Sequence, residues 1–315
     1  MIQVTLAVCT GNDNPMISFK QLTYALAVEK HLHFKKAAEA CNVSQSALST
    51  ALSELEKRLD LQIFERDNKK VLVTPIGKEV LQRAQKIKLA VDDLEQLAHA
   101  NKTPLSFPMT VGIIPTIAPF LLPKLFPSLI NEYPQANISL VEEQSRPLVE
   151  MVRNGELDTA IIALPYPCDG LLTLEFWQED FYWITLKGTK HSSQKQISAN
   201  SISQSQLMLL NEGHCLKEHV LDVCKLSSPS NNKKLGATSL STLIQMVQAN
   251  LGTTIIPAMA KEQLIKENEE LAAIHLNEKS PHRRLAFILR PNYTRLSSIE
   301  ILAKLCEKVL KISSS

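Results

Sequence analysis

Two cysteines in the C-terminal half have a type and spacing that could support redox chemistry. Cys215 directly follows His214, and Cys224 comes nine residues later. The thiolate is the nucleophilic form of cysteine, and a nearby cation favours it. A second thiol can trap the first oxidation product, a sulfenic acid, before it is oxidised further. On spacing alone, however, two inert core cysteines are the simpler interpretation, because unpaired cysteine is often buried.

The other cysteines suggest neither a metal site nor an export pathway. The six cysteines stand at positions 9, 41, 168, 215, 224 and 306, with no CxxC pair and no cysteine–histidine spacing typical of zinc. We therefore expect no metal and no other cofactor. We expect Cys41 and Cys306 to be structural and Cys168, which follows a proline, to lie in an exposed loop.

Residues 1–15 are apolar at their start but contain no basic segment, which argues against a secretory signal. We expect a disordered or mis-started leader, with Met16 as the natural start. No segment approaches 18 consecutive apolar residues, so we expect no membrane contact and a cytoplasmic protein. Any disulfide would then be transient or redox-sensing.

The N-terminal segment has the pattern of a winged helix-turn-helix. Apolar spacing predicts helices over 18–30 and 34–40 and a third that begins at Ser44, with its core face listed as Ala47, Leu48, Ala51, Leu52, Leu55 and Leu59. Residues 64–74 predict two short strands around a polar turn. Small polar side chains at the start of the third helix can reach base edges, while cations in the wing hold phosphates. A generic helical hairpin is the alternative.

Charge is distributed unevenly along the chain. Residues 16–102 contain 14 basic and 11 acidic side chains, whereas residues 103–315 contain 20 of each. An excess of positive charge in the N-terminal third fits a module that contacts DNA phosphates.

A long helix is predicted to follow Gly77, up to about residue 100. Its apolar positions step by four and three residues in turn, as in a dimerising helix: Val80, Ala84, Ile87, Val91, Leu94 and Ala98. The alternative is that this seam packs on its own domain. The polar segment 101–103 and the prolines after it end the helix as a linker.

From residue 109 onward, strands alternate with helices. We predict strands at 109–114, 137–142, 159–164, 181–186, 207–211, 253–256 and 284–289, and helices at 119–132, 147–154, 239–250 and 294–311. This alternation predicts mostly parallel sheets. A crossing near residue 180 and a return near residue 283 predict two lobes with a cleft between them.

Together these features resemble the LysR-type transcription regulators, from Met16 to nearly the end of the chain. The residues that carry the resemblance are Phe34-x-x-Ala37-Ala38-x-x-Cys41-x-Val43-Ser44-Gln45-Ser46-Ala47-Leu48-Ser49, Leu55-Glu56-x-x-Leu59, Leu61-x-x-Phe64-Glu65-Arg66 and Val73-Thr74-Pro75-x-Gly77. The segments Gly112-Ile113-Ile114-Pro115-Thr116 and Gly213-His214-Cys215-Leu216, followed by Cys224, resemble the peroxide-sensing OxyR subgroup. The chain departs from that subgroup at Ser46, usually a proline, and at Ser53 and Glu54, usually basic.

The resemblance implies an organisation and a set of DNA contacts. It implies an all-α winged helix-turn-helix DNA-binding domain (16–76), a dimerisation linker helix (77–103), and an α/β two-lobed regulatory domain resembling periplasmic binding proteins (104–315). Its expected partners are double-stranded promoter DNA, RNA polymerase, hydrogen peroxide and further copies of the chain, as a homodimer or homotetramer. The expected DNA contacts are Ser44, Gln45, Ser49, Arg66, Lys69 and Lys70.

For the sensing site, the resemblance implies that Cys215 is the peroxidatic cysteine and Cys224 the resolving one. The expected peroxide pocket consists of Thr116, Ser145, His214 and Arg283, with Arg284 as the alternative arginine if the strand register shifts. The implied function is a regulator of antioxidant genes rather than an enzyme. The alternative is a regulator that answers to a small metabolite between the lobes, without the cysteines.

The distance between Cys215 and Cys224 limits disulfide formation between them. If residues 215–224 are largely helical, nine steps of about 1.5 Å put their Cα atoms about 13 Å apart. A disulfide tolerates at most about 7 Å. Disulfide formation would therefore require this segment to unwind, which could favour a second packing of the domain.

Overall fold

A computed structural model describes residues 16–67, 70–99, 104–203, 206–225, 236–266 and 268–314. The predicted leader and the end of the predicted linker, 100–103, lie outside these ranges. The chain separates into two compact units between Leu94 and Glu95.

The N-terminal unit is the predicted winged helix-turn-helix. Its elements are α1 (Phe19–His31), α2 (Phe34–Ala40), α3 (Gln45–Leu59), β1 (Phe64–Asp67), β2 (Lys70–Val73) and α4 (Pro75–His99). The two strands pair antiparallel to form the wing. Helix α4 begins two residues before Gly77, earlier than predicted.

Side-chain caps define where the helices of this unit begin. Ser18 and Gln21 form a reciprocal capping box at α1. Ser44 Oγ accepts a hydrogen bond of 3.2 Å from the backbone N–H of Ala47 at the start of α3. Both caps lie where the sequence predicts these helices to begin, at residues 18 and 44, so the start of α3 is set locally.

Two polar side chains join the wing to the helices. Glu56 Oε1 accepts hydrogen bonds from the backbone N–H groups of Ile63 (2.8 Å) and Phe64 (3.0 Å). Thr74 Oγ1 accepts a hydrogen bond of 2.8 Å from the N–H of Gly77. A Cβ at Gly77 would lie 2.3 Å from the Ile63 carbonyl oxygen, so this close approach requires glycine.

The core of this unit corrects one detail of the prediction for α3. Leu48, Leu52 and Leu55 are fully buried, as expected. Ala47 is exposed rather than on the core face, and Ser49 is half-buried rather than exposed. Ala47 therefore lies on the outer surface with the polar side chains of the first turn.

The C-terminal unit contains two five-stranded sheets, which form two lobes. The first lobe is built from β3 (Met109–Ile113), α5 (Ala118–Glu132), β4 (Ile138–Glu142), α6 (Ser145–Arg153), β5 (Thr159–Leu164), β6 (Leu172–Glu179), β12 (Arg283–Leu289) and α10 (Leu296–Ser314). The second is built from β7 (Phe181–Leu186), β8 (Gln196–Ile197), β9 (Leu207–Met208), α7 (Cys215–Val223), α8 (Leu240–Gln248), β10 (Thr253–Pro257), α9 (Ala258–Ile265) and β11 (Leu271–Leu276). A short 3-10 helix, Ala199–Ser201, follows β8.

The strand order is β4-β3-β5-β12-β6 in the first sheet and β8-β11-β7-β10-β9 in the second. The chain crosses between lobes at Asp180 and returns between β11 and β12, close to the predicted positions. The expectation of mostly parallel sheets is wrong. Strand β12 pairs antiparallel with β5 and β6, and β7 pairs antiparallel with β10 and β11, because each crossing reverses the direction of the chain.

Candidate functional site

Cys215 is the first residue of α7, directly after a tight turn. His214 precedes the helix in an extended conformation, and Gly213 has a φ of +95°. A Cβ at Gly213 would lie 2.1 Å from Gln144 Oε1. Glycine therefore meets two needs at this turn, a left-handed backbone and a close contact with the first lobe.

The thiol of Cys215 faces a small cavity between the two lobes. In this conformation the space is too narrow to admit a water molecule, and its lining includes Thr116, Ser145, His214 and Cys215. Thr116 follows β3, and Ser145 opens α6. The structure thus brings together four residues that the sequence predicts for one pocket, from segments up to 99 positions apart.

Arg283 lies behind this cavity and is completely buried. Its Nε donates a hydrogen bond of 2.8 Å to Glu179 Oε1, and its Nη1 donates one of 3.3 Å to Thr116 Oγ1. Arg284 instead forms a surface ion pair of 2.6 Å with Glu175. The strand register therefore places Arg283, and not Arg284, at the cavity.

The surroundings of Cys215 act on its pKa in opposite directions. Burial raises the pKa of the thiol, while Ser145 and the Arg283 cation lower it, and burial has the largest effect. Ser145 Oγ is buried and, among the described residues, has no hydrogen-bond partner of ordinary geometry. Cys215 is therefore a protonated thiol at neutral pH in this conformation, with a hydroxyl available beside it.

His214 lines the cavity but does not add a cation. Burial lowers its pKa, so the imidazole is neutral at physiological pH. His214 therefore does not favour the Cys215 thiolate through charge in this conformation. A neutral imidazole can still donate or accept one hydrogen bond.

His219 is a buried residue that the sequence analysis missed. It lies one helical turn after Cys215 on α7 and is 2% exposed. Its Nε2 lies 2.8 Å from the Pro165 carbonyl oxygen, so Nε2 carries the proton and Nδ1 is a buried acceptor with no partner among the described residues. Burial lowers the pKa of His219 to about 4. Its i, i+4 spacing from Cys215 was the available signal.

Cys224 caps the other end of α7. It is buried, and burial raises the pKa of its thiol to about 12. Because residues 215–223 are helical, the two Cα atoms are about 13 Å apart. The described cysteines are all unpaired: Cys41, Cys168, Cys215, Cys224 and Cys306.

The other cysteines differ in their exposure. Cys306 is fully buried in α10, as expected. Cys41 is half-buried at the helix-turn-helix turn, and Cys168 is half-buried rather than exposed. Burial raises the pKa of Cys168, and the nearby Asp169 raises it further. Cys168 is therefore not an activated thiol in this conformation.

The residues predicted to contact DNA lie at the start of α3 and in the wing. Ser44 and Gln45 are exposed, and Ser49 is half-buried on the same helix. Arg66 lies in β1 and Lys70 in β2, on either side of the wing turn. Lys69 lies outside the described residues.

The predicted dimerisation seam of α4 divides into two parts. Ala84 is buried in the core of its own unit, and Val80 packs against that core. Ile87 and Leu94 are 48% and 67% exposed, with Val91 half-buried between them. A partner could therefore use the seam only from Ile87 onward, which corrects the prediction for Val80 and Ala84. The side chain of Ala98 lies outside the described residues.

A search of the described ranges found no group of three or more histidine, cysteine or acidic side chains placed to hold a metal ion. Among the same residues, no helix is both long and apolar enough to cross a membrane.

Comparison with known proteins assigns both parts of the chain. Residues 19–78 match the bacterial regulatory helix-turn-helix protein family, lysR type, and residues 105–311 match the LysR substrate binding domain.

Among similar proteins, the transcriptional regulator EstR of Acinetobacter baylyi is 36% identical over 93% of this chain and 97% of its own. A probable hydrogen peroxide-inducible genes activator of Streptomyces viridosporus is 32% identical over 93% and 95%. The structure of a full-length OxyR variant from Pseudomonas aeruginosa superposes with a TM-score of 0.76 at 31% identity, over 93% of this chain and 98% of that one. With its helix-turn-helix unit and its two-lobed unit both matched, this chain belongs to the LysR family of DNA-binding transcription regulators and is not an enzyme.

Proposed function

We propose that this protein is a peroxide-responsive regulator in which Cys215 is the peroxidatic cysteine and Cys224 resolves it. The observation that carries the proposal is the cavity at Cys215, where Thr116 and Ser145 supply hydroxyls and Arg283 supplies a buried cation. The name of the Streptomyces relative supports peroxide as the signal.

The proposed chemistry has two balanced steps. The sulfur of Cys215 attacks one oxygen of hydrogen peroxide, so that an S–O bond forms, the O–O bond breaks, and the leaving hydroxide takes up the thiol proton as water. The sulfur of Cys224 then attacks the sulfenic acid, an S–S bond forms, and a second water leaves. In this proposal, Arg283 and Thr116 would stabilise the leaving oxygen.

The raised pKa of Cys215 limits the first step. The cavity has no room for a water-sized molecule in this conformation, so it must first open to admit peroxide. Because the thiol is protonated, its deprotonation has to accompany attack. Ser145 Oγ, which has no partner of ordinary geometry in the described structure, is available to hydrogen-bond either the thiolate or the peroxide. The second step requires α7 to unwind, since about 13 Å exceeds the span of a disulfide.

The DNA-binding unit would carry this signal to promoter DNA in the cytoplasm. Gln45 and Ser49 would contact bases, with Ser44 at the start of the same helix, while Arg66, Lys69 and Lys70 would contact phosphates. The exposed part of α4 would hold two chains together as a homodimer, which could pair into a homotetramer. RNA polymerase is the expected protein partner, and antioxidant genes are the expected targets.

Sulfenic acid trapping tests the proposal. After one equivalent of peroxide, Cys224→Ser should accumulate a dimedone adduct at Cys215, because the resolving thiol is missing. Cys215→Ser should give no adduct, and Cys306→Ser serves as a matched control that should react as the unaltered protein does. If Cys215 stays unmodified while DNA binding still responds to another small molecule, the cysteine mechanism is wrong.

A response to a small molecule other than peroxide also has support. The EstR relative, at 36% identity, carries a name that does not mention peroxide. The raised pKa of the Cys215 thiol also disfavours reaction in this conformation. A regulator that binds a small metabolite between its lobes is therefore the second candidate.

A further inference from the structure

A large cleft lies at the hinge between the two lobes and shares no lining residue with the cysteine cavity. Its volume is about 890 Å³, within the range of about 300–1,000 Å³ typical of small-molecule sites. The crossing segment around Asp180 and the returning segment around Ser280 line it, together with α9. Lys124 of α5 and Leu310 of α10 contribute from the first lobe.

The carboxylates in this cleft already have partners. Glu179 binds Arg283 at 2.7 Å, and Glu262 binds Lys124 at 3.2 Å. The third, Asp180, lies 3.0 Å from His275 Nε2 and accepts a hydrogen bond of 2.6 Å from Ser280. None of these acidic groups needs a cation from a ligand.

Two lysines lack such partners: Lys261 in α9 and Lys266, which directly follows that helix. The Nζ of Lys261 lies 4.4 Å from the centre of the Tyr182 ring, a cation–π contact that leaves its hydrogen-bond donors available. In the described residues, no carboxylate lies within ion-pair distance of Lys261 or Lys266, and both side chains are exposed. Arg283 and Lys124 offset Glu179 and Glu262, while Asp180 is held by His275 and Ser280. With these two lysines counted, four basic side chains stand against three carboxylates in and behind the cleft, so the surplus is one positive charge.

Apolar surface lies beside these charges. Trp177, Met259, Ile265 and Leu310 line the same cleft. An indole ring and aliphatic side chains next to two ammonium groups suit a ligand with an apolar or aromatic body and an anionic head. A small inorganic anion would leave this apolar surface unused.

We propose that the hinge cleft is a second ligand site, which binds an organic anion with its acidic group at Lys261 and Lys266 and its apolar body against Trp177 and Met259. The site touches both lobes, so its occupant would favour the arrangement of lobes in which the cleft is formed. The inference does not depend on peroxide chemistry at Cys215.

The fluorescent aromatic sulfonate 8-anilinonaphthalene-1-sulfonate is a suitable probe, since it combines an aromatic body with one negative charge. Titration of the full-length reduced protein should show a saturable class of sites. The double substitution Lys261→Glu with Lys266→Glu should weaken this binding at least tenfold. The milder pair Lys261→Gln with Lys266→Gln should weaken it by a smaller factor and covers the case in which the first variant does not fold.

Two controls separate this site from general adhesion. Lys187→Glu with Lys195→Glu changes the same charge at exposed positions of the same lobe outside the cleft and should alter affinity less than twofold. N-phenyl-1-naphthylamine has a similar aromatic body without the sulfonate, and its binding should not depend on the two lysines. Absence of saturable sulfonate binding, or equal affinity in folded α9 variants and the unaltered protein, would overturn the proposal.

Discussion

Arg283→Met is the substitution that most sharply tests how the cysteine cavity is held together. Methionine has a similar length but no charge, so it removes the ion pair with Glu179 and the hydrogen bonds to Thr116. The Glu179 side chain is 2% exposed and would keep only the hydrogen bond that it accepts from the backbone N–H of Met259. The substitution therefore leaves a carboxylate buried without its cation.

The magnitude follows from this burial. Removing one partner of a buried ion pair costs about 3–5 kcal/mol, because the remaining charge stays desolvated. With a urea dependence of about 2 kcal/mol per M, the unfolding midpoint should fall by about 2 M. Arg284→Met is the matched control. Its ion pair with Glu175 is 41% and 36% exposed, so the loss should be at most about 1 kcal/mol.

Urea unfolding followed by tryptophan fluorescence measures both variants under identical conditions. A second measurement is the rate at which Cys215 is oxidised by peroxide. That rate should fall in Arg283→Met, because the guanidinium lowers the pKa of the thiol. It should be unchanged in Arg284→Met. Equal midpoints for the two methionine variants would show that the Arg283–Glu179 pair does not stabilise the junction of the lobes.

Three further predictions concern other parts of the chain. Gln45→Ala should weaken binding to the preferred operator by about 1–3 kcal/mol and relax the preference for its bases. Lys69→Ala should weaken binding to all DNA sequences alike and reduce the salt dependence of binding. Fluorescence anisotropy titrations that are identical for the two variants would contradict these roles. Ile87→Asp with Val91→Asp should give monomers that bind DNA poorly, and an unchanged mass in sedimentation would show that no partner uses this seam. The pKa of His219 is about 4 in the fold against about 6.5 in the unfolded chain. The free energy of unfolding is therefore at its full value above pH 6.5 and falls as the pH drops from 6.5 toward 4, because the unfolded chain binds the proton first. At pH 5 this decrease is about 2 kcal/mol, so His219→Gln should show a flatter profile of unfolding free energy against pH.

Local signals predicted the DNA-binding unit well. The boundaries of α2 and the two wing strands agree with the apolar pattern, and α3 starts at its Ser44 cap, the predicted beginning of the helix. Each of these features depends on contacts within a few residues. Ala84 shows the limit of this reasoning, because a heptad spacing does not tell which of two neighbours covers a helix face.

In the regulatory unit, the missed features depend on distant partners. Strands β6, β8 and β11 and helices α7 and α9 were not assigned from the sequence, although a helix over 215–224 was considered. Strand β6 has one face largely exposed, and among the described strands it pairs with β12 alone, more than 100 residues away. The role of His219 was missed for the same reason, since its partner, the Pro165 carbonyl, is 54 positions earlier. The residues of the cysteine cavity were predicted through family resemblance rather than from pattern.

In the proposed mechanism, Cys215 and Cys224 form one redox pair despite the helix between them. Peptide mass spectrometry after one equivalent of peroxide tests it most directly in the unaltered protein. We expect a Cys215–Cys224 disulfide as the main product, with Cys168 unmodified, because the Thr116 and Ser145 hydroxyls and the Arg283 cation lie at Cys215. Oxidation spread over Cys168, Cys215 and Cys224 without that crosslink would contradict the peroxide-sensing mechanism.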